Sequence, residues 1–454
     1  MQHQNELATE KVSKLLFKLA IPAIMAMLIN MLYNIIDRMY IGHIEEVGHI
    51  ALTGVGITFA IIILVSAFAS LVGAGGAPRA AIRMGEGNLD GAEQILGNCF
   101  STLTIISIIL TIVFLTFKEP ILFAFGASEN TFAYANDYIT IYLYGTIFVQ
   151  YALGLNMFIS CQGFAKQSMM SVLIGAIANI VLDPIFIFGL NMGVKGAALA
   201  TIISQAFSAI WVVSFLCSKK SNLRIKKQYM NIKKEVILPV IGLGISPFIM
   251  QSTEAAIAVC FNSSLLKYGG DTAVGAMTIM SSIMQFVMMP SQGLTQGAQP
   301  IISYNFGAKN MSRVKEAFKL LFICSILYTS VFWLAIQSFP STFIAIFNNN
   351  AELMATATWA ARVYFGCIFA FGAQLACQQT FLAVGQAKIS LFLACLRKII
   401  LLIPLIFILP AFIENKVMAV FLAEPIADFI AVSTTCIMFA INFPKILKQR
   451  ELEN

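Results

Sequence analysis

Residues 75–88 read Gly-Gly-Ala-Pro-Arg-Ala-Ala-Ile-Arg-Met-Gly-Glu-Gly-Asn, and residues 297–310 read Gly-Ala-Gln-Pro-Ile-Ile-Ser-Tyr-Asn-Phe-Gly-Ala-Lys-Asn. Gly75, Pro78, Gly85 and Asn88 recur as Gly297, Pro300, Gly307 and Asn310, at one spacing of 222 residues. The same offset carries Gly163 and Lys166 onto Gly385 and Lys388. One offset serving two distant blocks marks an internal duplication. Each copy of the first block ends an apolar run and opens a polar loop, so the repeated unit is built from apolar helices.

The composition says what surrounds those helices. Of 454 residues, 59% are hydrophobic and 11% charged, where a soluble domain carries about a quarter charged residues. No aqueous surface can be built from so few polar groups. This excludes a cytosolic enzyme, a disordered chain and a secreted domain, and leaves a polytopic membrane protein. About 20 apolar residues span a bilayer as a helix. That ruler predicts spans over 15–41, 50–77, 95–117, 133–162, 168–190, 195–217, 236–267, 272–303, 314–338, 354–384, 387–411 and 417–442. The fold class is therefore an all-α membrane protein, with twelve transmembrane helices in two pseudo-symmetric six-helix lobes around a central cleft. The N-lobe covers 1–217, a basic inter-lobe loop 218–235, and the C-lobe 236–454. Six helices per half make the repeat parallel, with its axis along the membrane normal and alternating access by rocking one lobe against the other.

Orientation follows from the basic residues. Lys11, Lys14 and Lys18, Arg79 and Arg83, Lys166, the seven of loop 218–235, Lys309, Arg313, Lys315, Lys319, Lys388, Lys445, Lys448 and Arg450 fall on one side. Only Lys118, Lys195, Lys267 and Lys416 fall on the other. By the positive-inside rule both termini are cytoplasmic, the expected location being the plasma membrane. The net charge of +7 then reflects cytoplasmic loops and not a nucleic-acid partner, and loop 218–235 reads as a topology signal and tether. No cleavable signal peptide is visible before the first apolar run. The nine Cys form no CxxC pair and read as packing residues. His43 and His49, beside Glu45 and Glu46 in the first outer loop, read as solvated.

Ionisable groups within spans are functional candidates by default. Asn30, Asn34 and Asp37 share one face of the first helix, and Asn179 and Asp183 one face of the fifth. Pro184 and Pro22 each free a backbone carbonyl. Thr201 lies in a small-residue run, Gly196-Ala-Ala-Leu-Ala-Thr, that permits close helix contact. Two carboxylates, an amide, a hydroxyl and freed carbonyls compose an all-oxygen site for a hard cation or a shared proton. The offset maps Asp183 to Leu405 and Thr201 to Ala423, so this chemistry exists once. Asn34, Gln251, Glu254, Gln285 and Arg397 are candidates for the cleft. Glu254 has two readings, attraction of a cationic substrate or a salt bridge to Arg397 or Lys398. Arg38, Glu424 and Asp428 are further charges, read as pairing or interfacial.

With these residues in view, the chain resembles the multidrug and toxic compound extrusion (MATE) family. The marks are the Pro22…Asp37 helix, Gly76-Ala-Pro-Arg-Ala-Ala-Ile-Arg-Met-Gly-Glu-Gly87, Asn179-Ile-Val-Leu-Asp183-Pro184, Gln296-Gly-Ala-Gln-Pro300 and Asn305-Phe-Gly307. The resemblance implies export of organic cations and amphipathic drugs in exchange for sodium or protons. It places the coupling ion, and the metal if that ion is sodium, on Asp37, Asn179, Asp183 and Thr201, with Pro22 as the bending proline. Glu254 looks like the helix-seven acid of members with a C-lobe site. Those members also carry an Asp in helix ten, where this chain has Gln374, Gln378 and Gln379, which favours the N-lobe as coupling centre. No cofactor beyond the coupling ion is implied, and a cleft enclosed by one chain implies a functional monomer. The rival transport reading is a lipid-linked sugar or lipid flippase, which needs several free cleft cations. A third reading is a non-transporting receptor or a channel; duplicated lobes with a one-sided acid pair argue against a pore, which needs a continuous polar lining, and no nucleotide loop or nucleophile–base pair suggests an enzyme.

Overall fold

The computed structural model describes residues 2–45, 47–347 and 350–453, with side chains from Glu6 onward; Glu46 lies outside the described residues. Among the described residues nine helices are long and apolar enough to cross a bilayer, and two pairs of shorter helices pass together across a bend. One of the nine, Lys234–Gly307, has 74 residues and straight would measure about 110 Å. Its backbone instead breaks at Gly270 (φ 63°, ψ −161°), a left-handed conformation that glycine adopts without steric cost. Ile257, Phe261 and Leu265 before the break share a core with Ala273, Met277 and Met280 after it, so the two arms pack as a hairpin. The count is therefore twelve spans.

They are α1 (Val12–Gly42), α2 (Gly48–Gly85), α3 (Leu89–Ala124), α4 (Glu129–Tyr144 and Thr146–Ser160, bent by 63°), α5 (Ala165–Gly189) and α6 (Gly193–Cys217). The second set is α7 and α8 (234–269 and 271–307), α9 (Met311–Ser338), α10 (Ala351–Tyr364 and Ile368–Ala383, bent by 47°), α11 (Ala387–Phe412) and α12 (Lys416–Leu452). A short helix, Gln2–Thr9, precedes them.

The duplication is visible in local geometry. Asn88 and Asn310 cap α3 and α9 alike, accepting from Gly91 N and Arg313 N, which satisfies an otherwise orphaned helix N–H. Gly163 and Gly385 both take positive φ (89° and 78°) in matching loops. A Cβ on Gly85 would meet Tyr304 O at 2.0 Å, and one on Gly307 would meet Ile82 O at 2.0 Å. Those two contacts exchange under the 222-residue offset, as a pseudo-two-fold axis between α2 and α8 requires.

The core is divided in a way that decides where the molecule opens. Near the chain termini, one apolar cluster joins Leu15, Leu16 and Ala20 of α1 to Ala298, Ile301 and Ile302 of α8. Another joins α2, α3 and α4 to Ile237 and Val240 of α7. Away from the termini each lobe has its own core, one built from residues 41–202 and one from 257–427. The lobes are sealed together at the terminal side and parted at the other. Arg450 of α12 adds to the seal by pairing with Glu86 in the loop after α2.

Loop 218–235 is more than a tether. Gln162 Oε1 accepts from Ser221 Oγ, Asn222 N and Leu223 N, at 3.1, 2.9 and 2.9 Å. Asn98 donates to Tyr229 O and accepts from Lys233 N, at 3.0 and 2.7 Å, and Lys226 pairs with Glu93. These side chains of α3 and of the turn after α4 hold the loop on the first lobe up to the start of α7.

Candidate functional site

The first lobe encloses a polar cluster among α1, α4, α5 and α6. α1 runs unbroken through Pro22 and delivers Asp37 into the lobe, 9% exposed. α5 delivers Asn179 and Asp183, 1% and 0% exposed, from consecutive turns. Asn179 Nδ2 donates to Asp183 Oδ1 at 3.3 Å. Pro184 removes the next helical donor, and the chain answers with a π-helical turn over Ile185–Gly189. Such turns interrupt α-helices most often at functional sites. The Asp37 and Asp183 carboxyls are close enough to interact electrostatically.

Thr201 of α6 donates to Ala197 O at 3.0 Å and lies 3.5 Å from the Tyr138 hydroxyl of α4. Asp37 Oδ1, Asn179 Oδ1 and Asp183 Oδ2 are buried with no hydrogen-bond donor. Nearly all buried polar atoms in proteins are paired, because desolvating one without a partner costs free energy. Three orphaned oxygens in one cluster are the arrangement that a hard cation or a proton satisfies.

A cavity of about 40 Å³ adjoins the cluster, lined by Asn179 and Thr201 and by Asn30, Ser171, Gln205 and Ser208 among others. A water needs about 10–15 Å³ of such space, so the cavity has room for roughly three. The sequence reading brought Asp37, Asn179, Asp183 and Thr201 into view, and the structure brings them together. It passed over Tyr138, although Tyr138 and Tyr142 four residues apart on an apolar helix were a usable signal. It also passed over Ser204, Gln205 and Ser208, one polar face of α6.

Of the other candidates, Gln251 meets the opposite lobe directly. Ser70 Oγ of α2 donates to Gln251 Oε1 of α7 at 3.0 Å, and Phe68 meets Phe248 edge to face, centroids 4.9 Å apart. These contacts floor the cleft. Glu254, one turn after Gln251, is exposed; Gln285 is exposed as well, and Asn34 is half-buried and donates to Asn30 O at 2.6 Å. Arg397 departs from the cleft placement. It is buried inside the second lobe, donating from Nε to Asp428 Oδ1 and from Nη2 to Glu424 Oε1, both at 2.7 Å. Lys398, its neighbour, pairs with Glu254. His43 and His49 are exposed.

The MatE family profile matches residues 22–185 and 247–408, one match in each lobe. The chain belongs to the MatE family. It is thus a membrane transporter and not an enzyme. Among relatives of this MatE protein, the multidrug export protein MepA of Staphylococcus haemolyticus is 24% identical over 422 residues, covering 92% of each chain. A MATE crystal structure in the bent conformation superposes with a TM-score of 0.92 over 99% of each chain, at 20% identity. An outward-facing multidrug resistance MATE family transporter gives 0.90 over 97% of this chain and 98% of that one, also at 20% identity. At that identity the superpositions establish the twelve-helix fold.

Proposed function

We propose that this MatE protein exports organic cations and amphipathic drug-like compounds across the plasma membrane by alternating access. The inward movement of sodium or protons through Asp37, Asn179, Asp183 and Thr201 drives the export. The observation that carries the reading is the trio of buried oxygens without donors. A site left in that state is costly, so it exchanges between a loaded and an emptied form, and the difference is the handle by which an ion gradient acts. The multidrug export named for the MepA relative supports the substrate class, as does Glu254, exposed in mid-helix one turn after the cleft contact of Gln251.

With both termini cytoplasmic, the state described is outward-facing. A cation arriving from outside neutralises the Asp37–Asp183 pair. α1, which already lacks a hydrogen bond at Pro22, repacks and expels the substrate. The ion then leaves to the cytoplasm once the terminal-side seal opens. Each step lies within one chain, so a monomer suffices. The flippase reading needs free cations for an anionic headgroup. Arg397 and Lys398 are both held in ion pairs, which weighs against it.

Efflux of a fluorescent organic cation from proteoliposomes, under an imposed sodium gradient and separately a proton gradient, tests the proposal. Efflux is driven by one gradient and lost in Asp183→Asn. Export that survives that substitution intact, or export under neither gradient, refutes it.

A further inference from the structure

The second lobe carries five ionisable groups that the coupling cluster does not use. Arg397 and Lys398 occupy successive positions of a π-helical turn of α11, Leu396–Leu402, and both are buried. Arg397 is committed within the lobe, to Glu424 and Asp428 and over the Phe371 ring, 4.6 Å from its centroid. Lys398 reaches α7 instead, donating to Met250 O at 2.6 Å and pairing with Glu254 Oε1. The two ends of this pair differ. The Lys398 side chain is 4% exposed and that of Glu254 is 60% exposed. Gln251, one turn earlier on α7, is bonded across the cleft to Ser70, which places this face of the helix on the cleft.

Glu254 therefore meets the cleft as a carboxylate neutralised from behind. A free carboxylate attracts any cation. One whose charge is balanced by a buried ammonium offers little net charge at a distance, yet its outer oxygen still accepts a hydrogen bond on contact. A protonated amine has an N–H to give. A quaternary ammonium has none and gains only from the net charge that Lys398 cancels. We infer that the Lys398–Glu254 pair is a specificity determinant: Lys398 cancels the charge attraction that both kinds of cation would share, and the outer oxygen of Glu254 then selects protonated amines over permanently charged quaternary cations of the same scaffold. The inference rests on the reading of the cleft as a site for organic cations.

Quinine and N-methylquininium form a matched pair, and their affinities for the purified protein at neutral pH give the test. Wild type binds quinine about tenfold more tightly, the low end for a hydrogen bond to a charged group. Lys398→Met tightens both compounds by a similar factor and leaves the preference for quinine, since the unbalanced carboxylate charge acts on both and the hydrogen bond on one. Lys398→Arg retains the preference. Glu254→Gln weakens quinine and removes the preference. Equal affinities in the wild type overturn the inference, and that measurement needs no variant to fold. Affinities for both compounds unchanged in folded Lys398→Met also overturn it. Wild type that neither binds nor exports either compound overturns the proposed function as well, whereas export of both with equal affinities overturns this inference alone.

Discussion

Gly85→Ala and Gly307→Ala form a matched pair of perturbations at the terminal-side seal. In each, the added Cβ comes to 2.0 Å from a backbone oxygen of the other lobe, Tyr304 O or Ile82 O. Ordinary carbon contacts begin near 3.5 Å, so the lobes must part locally by more than 1 Å. No flexible side chain can yield in their place, because the obstructing atom belongs to a helix backbone. Overpacking of this kind costs about 1–3 kcal/mol. At about 1.4 kcal/mol per factor of ten, the sealed state loses roughly five- to a hundredfold in population against the state open at the terminal side. Spin labels on the loops after α2 and after α8 report the separation directly. Both variants gain a longer-distance component, and by similar amounts because the contacts are related by the repeat. Each lobe's own thermal stability stays near wild type. A distance distribution unchanged in both variants refutes the argument that these contacts form the seal, and a change in only one refutes its pseudo-symmetry.

Arg397→Ala leaves Glu424 and Asp428 buried without their base. Breaking such a pair costs about 3–5 kcal/mol, so the thermal unfolding midpoint in detergent drops well below that of Glu424→Gln, which keeps the Arg397–Asp428 bond. Asn179→Ala removes the donor to Asp183 together with one oxygen of the cluster, and gradient-driven efflux falls by tenfold or more while the circular dichroism spectrum stays helical. Gln162→Ala removes the acceptor shared by Ser221 Oγ, Asn222 N and Leu223 N. Limited proteolysis within 218–230 accelerates, with no change in substrate affinity.

Much of the fold was legible because lipid imposes a simple rule: each span needs one apolar stretch of sufficient length. The span predicted at 195–217 is observed as Gly193–Cys217. The ruler fails where helices leave the apolar layer. The second span was predicted to stop at 77, before Arg79 and Arg83, yet α2 continues to Gly85, because a helix keeps its hydrogen bonds beyond the membrane whatever its side chains. The bends in α4 and α10 were invisible for the opposite reason, since an apolar run looks the same straight or broken. Asp37, Asn179, Asp183 and Thr201 were readable because polar groups on one face of a membrane helix need partners. The partner of Glu254 was legible only as Arg397 or Lys398, and the structure shows Lys398. Arg397 and Lys398 are adjacent in sequence, and periodicity assigns one of them to a face only if the helix is α. The π turn over Leu396–Leu402 shifts that phase and buries both.

The repeat duplicated the scaffold and left the chemistry unpaired. Under the 222-residue offset Asp37 falls on Val259 and Asn179 on Leu401, while Arg397 falls back on Gly175 and Glu424 on Ile202. Each lobe thus holds buried acids at positions the other fills with apolar or small residues. The second lobe answers its acids with covalently attached cations, and Arg397 closes two of its ion pairs at 2.7 Å. The first lobe has no base bonded to Asp37 or Asp183 among the described residues, and three of the cluster's oxygens stand without donors. A buried carboxylate pair needs a positive partner or a proton. Where the chain supplies none, solution must supply it. Under the proposed coupling, a partner drawn from solution makes the packing of α1 against α5 depend on ion concentration, whereas Arg397 holds α11 to α12 at any concentration. On this argument, placing a lysine at Thr201 locks the first lobe in its loaded form. Thr201→Lys raises thermal stability, removes its dependence on sodium or pH, and abolishes gradient-driven export. A Thr201→Lys protein whose stability still tracks the coupling ion shows that the ion acts elsewhere.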